Sequence, residues 1–259
     1  MDLDTGLLNS VPLWTLFPIT VLIASLSVEL GYRIARYRLK RTSDEPEAPP
    51  AGIVGATLGL LAFVLAFTFG LAGTRFEARR LLVLEESNAI STAYLRSFLL
   101  PEPFKADSQA LLKKYVDVRL EGTDPNKLVE AIQKSEEIQT DLWSIASAFA
   151  EKERTAITSL YMTSLNTLID VHAKRLGTSV YSRVPSAIWL MLYVLIILGM
   201  ASVGYQSGMA SKRRSIATVM LVFGFSSVLY LIADLDRPGR GWLETNQQAM
   251  MDLKRTMAK

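Results

Sequence analysis

Phe63 and Phe67 lie one helical turn apart in a stretch of 24 residues, 51–74, that contains no charged side chain. Two phenylalanines on one stripe of a membrane helix could form a hydrophobic constriction, which gates channels by excluding water. The same stripe could instead pack on neighbouring helices or lipid. Arg75 follows directly, where it could concentrate anions at a pore mouth or extend to the membrane interface. These residue types indicate ion passage as the chemistry to consider.

Two pairs of acidic side chains are further candidates for functional sites. Glu85 and Glu86 follow the uncharged stretch, and they could face a water-filled vestibule or belong to a solvated or salt-bridged face. Asp234 and Asp236 lie at the end of the last apolar run, where they could bind a cation such as calcium. Alternatively, they end a helix and pair with nearby arginines, Arg237 or Arg240.

Catalytic and cofactor motifs are absent from the sequence. The only histidine, His172, does not share a helical face with Asp170, and it is interpreted as a surface or packing residue. No nucleophile elbow, phosphate-binding glycine loop or metal-binding Cys/His spacing occurs, and cysteine is absent. We therefore expect neither an enzyme nor a bound cofactor.

Charge argues against a nucleic-acid partner. The net charge is +3, and residues 75–183 carry 15 basic and 15 acidic side chains. Binding to nucleic acid requires a concentrated basic face, which this segment lacks.

Four long uncharged runs predict four transmembrane helices and an integral membrane protein. The first lies between Asp4 and Glu29, and the last from Ser215 to Ala233. The predicted organisation is a first transmembrane helix with a basic, proline-rich loop (1–50), a second transmembrane helix (51–74), an extramembrane helical bundle (75–183), the third and fourth transmembrane helices (184–234) and a C-terminal tail (235–259).

The segment between the second and third spans shows helical periodicity and no strand alternation, so the predicted fold class is an all-α membrane protein. Helix-ending residues divide this segment. The second helix should continue to Pro101, and Asp124 is a plausible N-cap of a later helix. Further helices are predicted over residues 104–120, from Asp124 to about residue 149, over residues 155–176, and from about residue 244 in the tail.

Small residues recur every three or four positions along the second span, which puts them on one seam of a helix. Such a seam lets helix backbones approach closely. The seam consists of Gly55, Gly59, Ala62, Ala66, Gly70 and Gly73.

The run FVLAFTFGLAGTRF (63–76) resembles the second transmembrane segment of bestrophin anion channels, in which a Phe-Val-Leu-Gly-Phe run precedes Thr-Arg-Trp. Two longer runs are similar to bacterial bestrophin-like membrane proteins: TRFEARRLLVLEESNAISTAYLRSFLLPEP (74–103) and DLDRPGRG (234–241). The likeness to the bacterial bestrophin-like proteins covers most of the chain, whereas the likeness to the bestrophin anion channels covers a short apolar stretch.

This resemblance implies a homopentamer whose second helices surround a hydrophobic neck. Phe63 and Phe67 would face that neck, and the family's third neck position falls on Gly59. Because a ring of glycines cannot form the same constriction, a shorter or wider neck is implied. The calcium-binding acidic run of animal bestrophins has only Asp234 and Asp236 as a counterpart.

Orientation in the membrane is not decided by charge. On each side of the membrane, eight basic residues lie near the spans. On one side they are concentrated in two short loops, and the positive-inside rule would place such loops in the cytoplasm. This density favours a helical bundle outside the cytoplasm. The resemblance implies the opposite, with the bundle and both termini in the cytoplasm, and we adopt that orientation in a bacterial inner membrane.

The leading hypothesis is a homo-oligomeric channel in the lipid bilayer that conducts inorganic anions such as chloride. The alternative is a non-conducting signalling or scaffold protein whose helical bundle binds a partner. An enzyme acting within the membrane would need intramembrane charge, and only Glu29 is placed for this, where pairing with Arg33 is the simpler interpretation.

Overall fold

The computed structural model describes residues 12–41, 51–178, 183–210, 215–237, 242–243 and 245–259. These residues form eight α-helices and contain no strand, which confirms the all-α fold class. The helices are α1 (Leu13–Arg41), α2 (Ala51–Ser97), α3 (Phe104–Glu121), α4 (Leu128–Lys152), α5 (Ala156–Leu176), α6 (Ser186–Met209), α7 (Ile216–Asp236) and α8 (Gln248–Met257).

Four of these helices, α1, α2, α6 and α7, are long and apolar enough to cross a membrane, as the uncharged runs predicted. Several sequence predictions lie outside the described residues. These are the beginning of the first span near Asp4, the proline-rich linker 42–50, the basic loop residues 212–214, Arg240 and the last four residues of the DLDRPGRG run.

The chain divides into two compact units, and the first comprises Met1–Thr74 with Arg183–Arg237. In this unit α1 packs against α6 and α7. The α1–α6 contact depends on glycine, because a Cβ atom on Gly204 would lie 1.9 Å from the carbonyl oxygen of Val28. A Cβ atom on Gly31 would likewise lie 2.0 Å from the carbonyl oxygen of Ala201. At these two glycines the backbones of α1 and α6 therefore lie in close contact.

The second unit comprises Arg75–Ser182 with Pro238–Lys259 and is a helical bundle. Its core includes α3, α4, α5 and the part of α2 after Thr74, and α8 closes it by burying three apolar side chains. The deeply buried members of this core include Ile90, Leu112, Tyr115, Leu142, Phe149, Tyr161, Leu168 and Met250.

Two of the helix ends that the sequence indicates are capped as expected, and a third is not. Gly122 caps α3, and Thr155 caps α5 by accepting a hydrogen bond from the backbone N–H of Thr158. The prediction that Asp124 caps α4 is wrong, because that helix begins at Leu128. The Asp124 carboxylate instead accepts the N–H of Asn126 at 2.9 Å, so it stabilises the turn before the helix.

Candidate pore helix and the charged groups beside it

Phe63 and Phe67 are exposed on α2, with 69% and 68% of their surfaces accessible. The seam of small residues is also open. Added Cβ atoms on four of its glycines would meet no neighbouring atom within 4 Å. These glycines are Gly55, Gly59, Gly70 and Gly73. The two alanines of the seam, Ala62 and Ala66, are also exposed.

A different face of α2 packs within its unit. That face contains Leu61, Leu65 and Ala72, which are almost completely buried, together with Val54 and Thr68. At about 100° per residue, these side chains point roughly opposite to the phenylalanine pair. The phenylalanines and the seam are therefore turned away from the rest of their unit.

Arg75, the predicted pore-mouth residue, is half-buried rather than fully exposed. It follows Phe67 by eight residues and Phe63 by twelve, which places it about 80–120° around the helix from them. Arg75 thus lies beside the phenylalanine stripe and not on it.

Glu85 and Glu86, adjacent in sequence, have opposite surroundings. Glu85 is exposed, and it forms no ion pair or hydrogen bond with any other residue in the described part of the chain. Glu86 is completely buried. Of the interpretations considered for Glu85 and Glu86, the salt-bridged face therefore applies to Glu86 alone.

The Glu86 carboxylate is shared by two arginines from two other helices. Arg119 Nε, on α3, lies 2.8 Å from Oε1, and Arg175 on α5 donates from Nη1 to Oε2. The hydroxyl of Tyr115 donates to Oε1 at 3.0 Å. One buried carboxylate thus joins α2, α3 and α5 through charge-assisted hydrogen bonds.

Tyr115 extends this cluster to α4 and to His172. Its hydroxyl oxygen accepts a hydrogen bond from Gln139 Nε2 at 3.1 Å and lies 3.1 Å from His172 Nδ1. Since the single hydroxyl proton is directed at the Glu86 carboxylate, which can only accept, His172 must donate from Nδ1. The Nδ1 atom of this histidine, which is 3% exposed and has a structural, packed position, therefore carries a proton.

Electrostatics favour the ionised form of Glu86. Burial by itself would raise the pKa of this carboxyl group, but the adjacent His172 imidazole and the charges of Arg119 and Arg175 outweigh it. The pKa of Glu86 is therefore held well below its ordinary value of 4.5. Burial and the charge of Glu86 together raise the pKa of Tyr115 well above its ordinary value, so that its hydroxyl stays protonated.

The sequence contains a local signal for this cluster. Glu86 lies four residues after the buried Leu82, and Arg119 lies three after the buried Val116. A charged residue in register with an apolar stripe at helical spacing indicates a buried ion pair. The sequence could not, however, assign partners between separate helices.

Asp234 and Asp236 are both buried, with exposed fractions of 2% and 6%. Asp236 Oδ1 accepts the N–H of Val184 at 2.9 Å, which ties the end of α7 to the segment before α6. The described residues contain no group of three His, Cys, Asp or Glu side chains that could hold a metal ion. Through its contact with Val184, Asp236 has a helix-end role.

Comparison with known proteins places the chain in a family. No curated protein sequence matches it significantly. The crystal structure of a bacterial Bestrophin homolog from Klebsiella pneumoniae aligns with a TM-score of 0.65 at 16% identity, over 94% of this chain and 96% of that chain. A variant of a membrane protein, also a crystal structure, aligns with a TM-score of 0.69 at 16% identity, over 92% and 96% of the two chains.

At these identities the structural matches show a shared fold, and the sequence itself shows the family. A family model described as the Bestrophin-like domain matches residues 21–250, which include the helices α2 to α7. The protein, with its four apolar helices and the helical bundle between the second and third of them, therefore belongs to the Bestrophin-like family.

Proposed function

We propose that this protein is a homo-oligomeric ion channel whose pore is lined by α2, with a neck formed by Phe63 and Phe67. The observation that carries the proposal is the direction of these two side chains, which are exposed on the face of α2 turned away from the rest of its unit. Membership of the Bestrophin-like family and the shared fold support an ion channel in general.

Exposed leucines beyond the apolar stretch support self-association. Leu84 and Leu95 are 48% and 65% exposed in the extramembrane part of α2, where lipid cannot cover them. They are 11 residues apart, about three helical turns, so they lie on one face of that part of α2. A neighbouring copy of α2 would cover both the seam and these leucines, and close packing through small residues is the usual way in which membrane helices associate.

Gly59 shapes the proposed neck by having no side chain. Gly59 lies one turn before Phe63. The proposed pore would be wide at the level of Gly59, and only the two rings of phenylalanine would narrow it. A short hydrophobic neck still excludes water where the rings are closest, and that is how hydrophobic gates block ions.

The permeant ion is the finer part of the proposal. The resemblance to bestrophins implies an anion such as chloride, with Arg75 as the cation that concentrates it. Because Arg75 lies beside the phenylalanine stripe, anion selectivity is supported by the resemblance and not by the geometry of α2.

Replacing Phe67 with alanine is expected to raise the conductance of the purified protein in planar lipid bilayers bathed in symmetric potassium chloride. Removing one ring widens the neck and weakens dewetting. A barrier lower by about 1.4 kcal/mol would increase the conductance roughly tenfold.

Phe69 supplies the matched control for this experiment. It is also exposed on α2, at 40%, but it lies about 160° around the helix from Phe67. Phe69→Ala should leave the conductance unchanged. Wild-type protein without conductance above that of protein-free bilayers would remove the channel proposal, and a Phe67→Ala variant with wild-type conductance would remove Phe67 from the neck.

The mass of the detergent-solubilised complex separates a channel from a membrane scaffold. A monomer or dimer would leave no room for a central pore between second helices, whereas the resemblance implies a pentamer of 28.7 kDa chains. The mass can be measured by light scattering on the wild-type protein.

We also propose that the bundle and both termini face the cytoplasm of a bacterial cell, with the four spans in the inner membrane. A reporter enzyme that is active only in the cytoplasm, fused after Lys259, is expected to be active. A signal from a reporter that works only outside the inner membrane would overturn this orientation.

A further inference from the structure

The helix α1 is longer than a bilayer requires. Its 29 residues measure about 43 Å at 1.5 Å per residue, whereas the hydrocarbon core of a bilayer is about 30 Å thick. Residues 13–32 contain a single charged side chain, Glu29, and are enough to cross that core. Residues 33–41 therefore continue the helix at the level of the lipid headgroups and beyond.

This end of α1 is strongly basic. It carries five arginine and lysine side chains, all of them exposed: Arg33, Arg36, Arg38, Lys40 and Arg41. Glu29, the acidic residue of α1, offsets part of this charge by accepting a hydrogen bond from Arg33 Nε at 2.6 Å. Clusters of basic side chains next to a membrane span attract anionic headgroups.

One stripe of α1 leads from lipid-facing leucines to these basic residues. In its apolar part, three leucines four positions apart are each more than half exposed: Leu22, Leu26 and Leu30. Arg33, Tyr37 and Arg41 continue the stripe at spacings of three and four residues. The Arg41 guanidinium lies over the Tyr37 ring at 4.8 Å, and tyrosine is enriched at the headgroup level. The stripe thus offers an apolar surface for an acyl chain and, directly beyond it, arginines for a phosphate.

The end of α6 lies beside this basic segment. A Cβ atom on Gly208 would lie 2.7 Å from the Cβ atom of Ala35, and Arg38 donates from Nη1 to the hydroxyl of Tyr205 at 3.3 Å. The loop sequence after α6 adds three basic residues, while the linker sequence after α1 contains three acidic ones. Positive charge therefore remains in excess in the sequences at these two helix ends.

We propose that the end of α1 binds the headgroup of an anionic phospholipid through Arg33 and Arg41, with an acyl chain along the leucine stripe. Guanidinium groups bind phosphate oxygens through paired, charge-assisted hydrogen bonds. A zwitterionic lipid carries its own ammonium group beside the phosphate, which reduces this attraction. Because the site combines arginines with an apolar surface, it fits a lipid better than a soluble phosphate compound.

The test is lipid binding to the purified full-length protein in detergent, measured by native mass spectrometry during titration with phosphatidylglycerol or with phosphatidylcholine of the same acyl chains. We expect the wild type to bind phosphatidylglycerol about tenfold more tightly than phosphatidylcholine. The Arg33→Gln/Arg41→Gln variant should bind phosphatidylglycerol about thirtyfold more weakly than the wild type, because two charges that attract the headgroup are lost.

Arg154→Gln/Arg255→Gln is the matched control, because it removes the same charge from exposed positions in the helical bundle. It should keep the wild-type affinity for phosphatidylglycerol. Equal affinities of the wild type for the two lipids, or equal losses in the two double variants, would overturn the proposal. Displacement of phosphatidylglycerol by millimolar glycerol 3-phosphate would assign the site to a soluble phosphate compound and overturn the lipid as its ligand.

The linker after α1 supplies the competing partner for these arginines, since it contains Asp44, Glu45 and Glu47. If these carboxylates were the partners, phosphatidylglycerol would bind selectively only to an Asp44→Asn/Glu45→Gln/Glu47→Gln variant, and the proposal would be wrong. Selective binding to the wild type supports it. Since lipid binding is measured without ion flux, its outcome is independent of whether the protein conducts ions.

Discussion

Replacing Glu86 with glutamine is expected to destabilise the helical bundle by about 3–5 kcal/mol, the usual cost of breaking a buried ion pair by removing one partner. The substitution keeps the size of the side chain but leaves Arg119 and Arg175 as buried cations without a counter-charge. The free energy of unfolding of the full-length protein, measured in detergent by circular dichroism against denaturant, would report the loss.

Glu85→Gln is the matched control for this prediction, because it makes the same change one residue away at an exposed position. Its free energy of unfolding should stay within about 0.5 kcal/mol of the wild type. Equal stabilities for the two variants would show that the buried cluster contributes little.

The pH dependence gives a second readout of the same cluster. The pKa of Glu86 is lower in the folded protein than its ordinary value of 4.5, so its contribution to stability is present above that pH. The contribution is lost as the pH falls below 4.5 towards the depressed pKa of the folded state. The Glu86→Gln variant should lack this part of the acid-induced loss of stability.

Replacing Gly204 with alanine is expected to destabilise the membrane-spanning unit by about 3 kcal/mol, at the upper end of the cost of overpacking a core. The added methyl group would lie 1.9 Å from the carbonyl oxygen of Val28. Backbone at this point cannot move without separating α6 from α1. Thermal unfolding of the detergent-solubilised protein, followed by size-exclusion chromatography after heating, would measure the effect.

Gly224→Ala on α7 is the control for this experiment, because a Cβ atom there would meet no neighbouring atom within 4 Å. Alanine is also a better helix former than glycine, so this variant should be as stable as the wild type or slightly more stable. If Gly204→Ala unfolded at the same temperature as Gly224→Ala, the close α1–α6 approach would be wrong.

Local sequence signals predicted most of the elements. Uncharged runs identified the four apolar helices, and Gly122 and Thr155 marked helix ends that the structure confirms. Asp124 misled the prediction, because an aspartate that stabilises a turn and one that caps a helix use the same carboxylate–amide hydrogen bond. Such signals act over a few residues, and the sequence displays them directly.

Contacts between helices were not predictable in the same way. Small residues four positions apart occur on α2, where the seam is open, and also at Gly204 and Gly208 on α6, where they meet α1. Both arrangements have the same spacing, so the sequence could not show which one packs within the chain. The face of α2 that packs within the chain decides whether Phe63 and Phe67 point towards the rest of their unit or away from it.

The sequence by itself determined the fold class, the number of spans and the presence of an unusual second helix, because hydrophobicity and helix-ending residues act locally along the chain. Only the tertiary structure decided that Glu86 is buried between Arg119 and Arg175, while its neighbour Glu85 is exposed. The rotation of a helix about its axis is set by the partners that it meets in space. Residues far apart in the sequence supply those partners, and they thereby determine which side chains of α2 are available to line a pore.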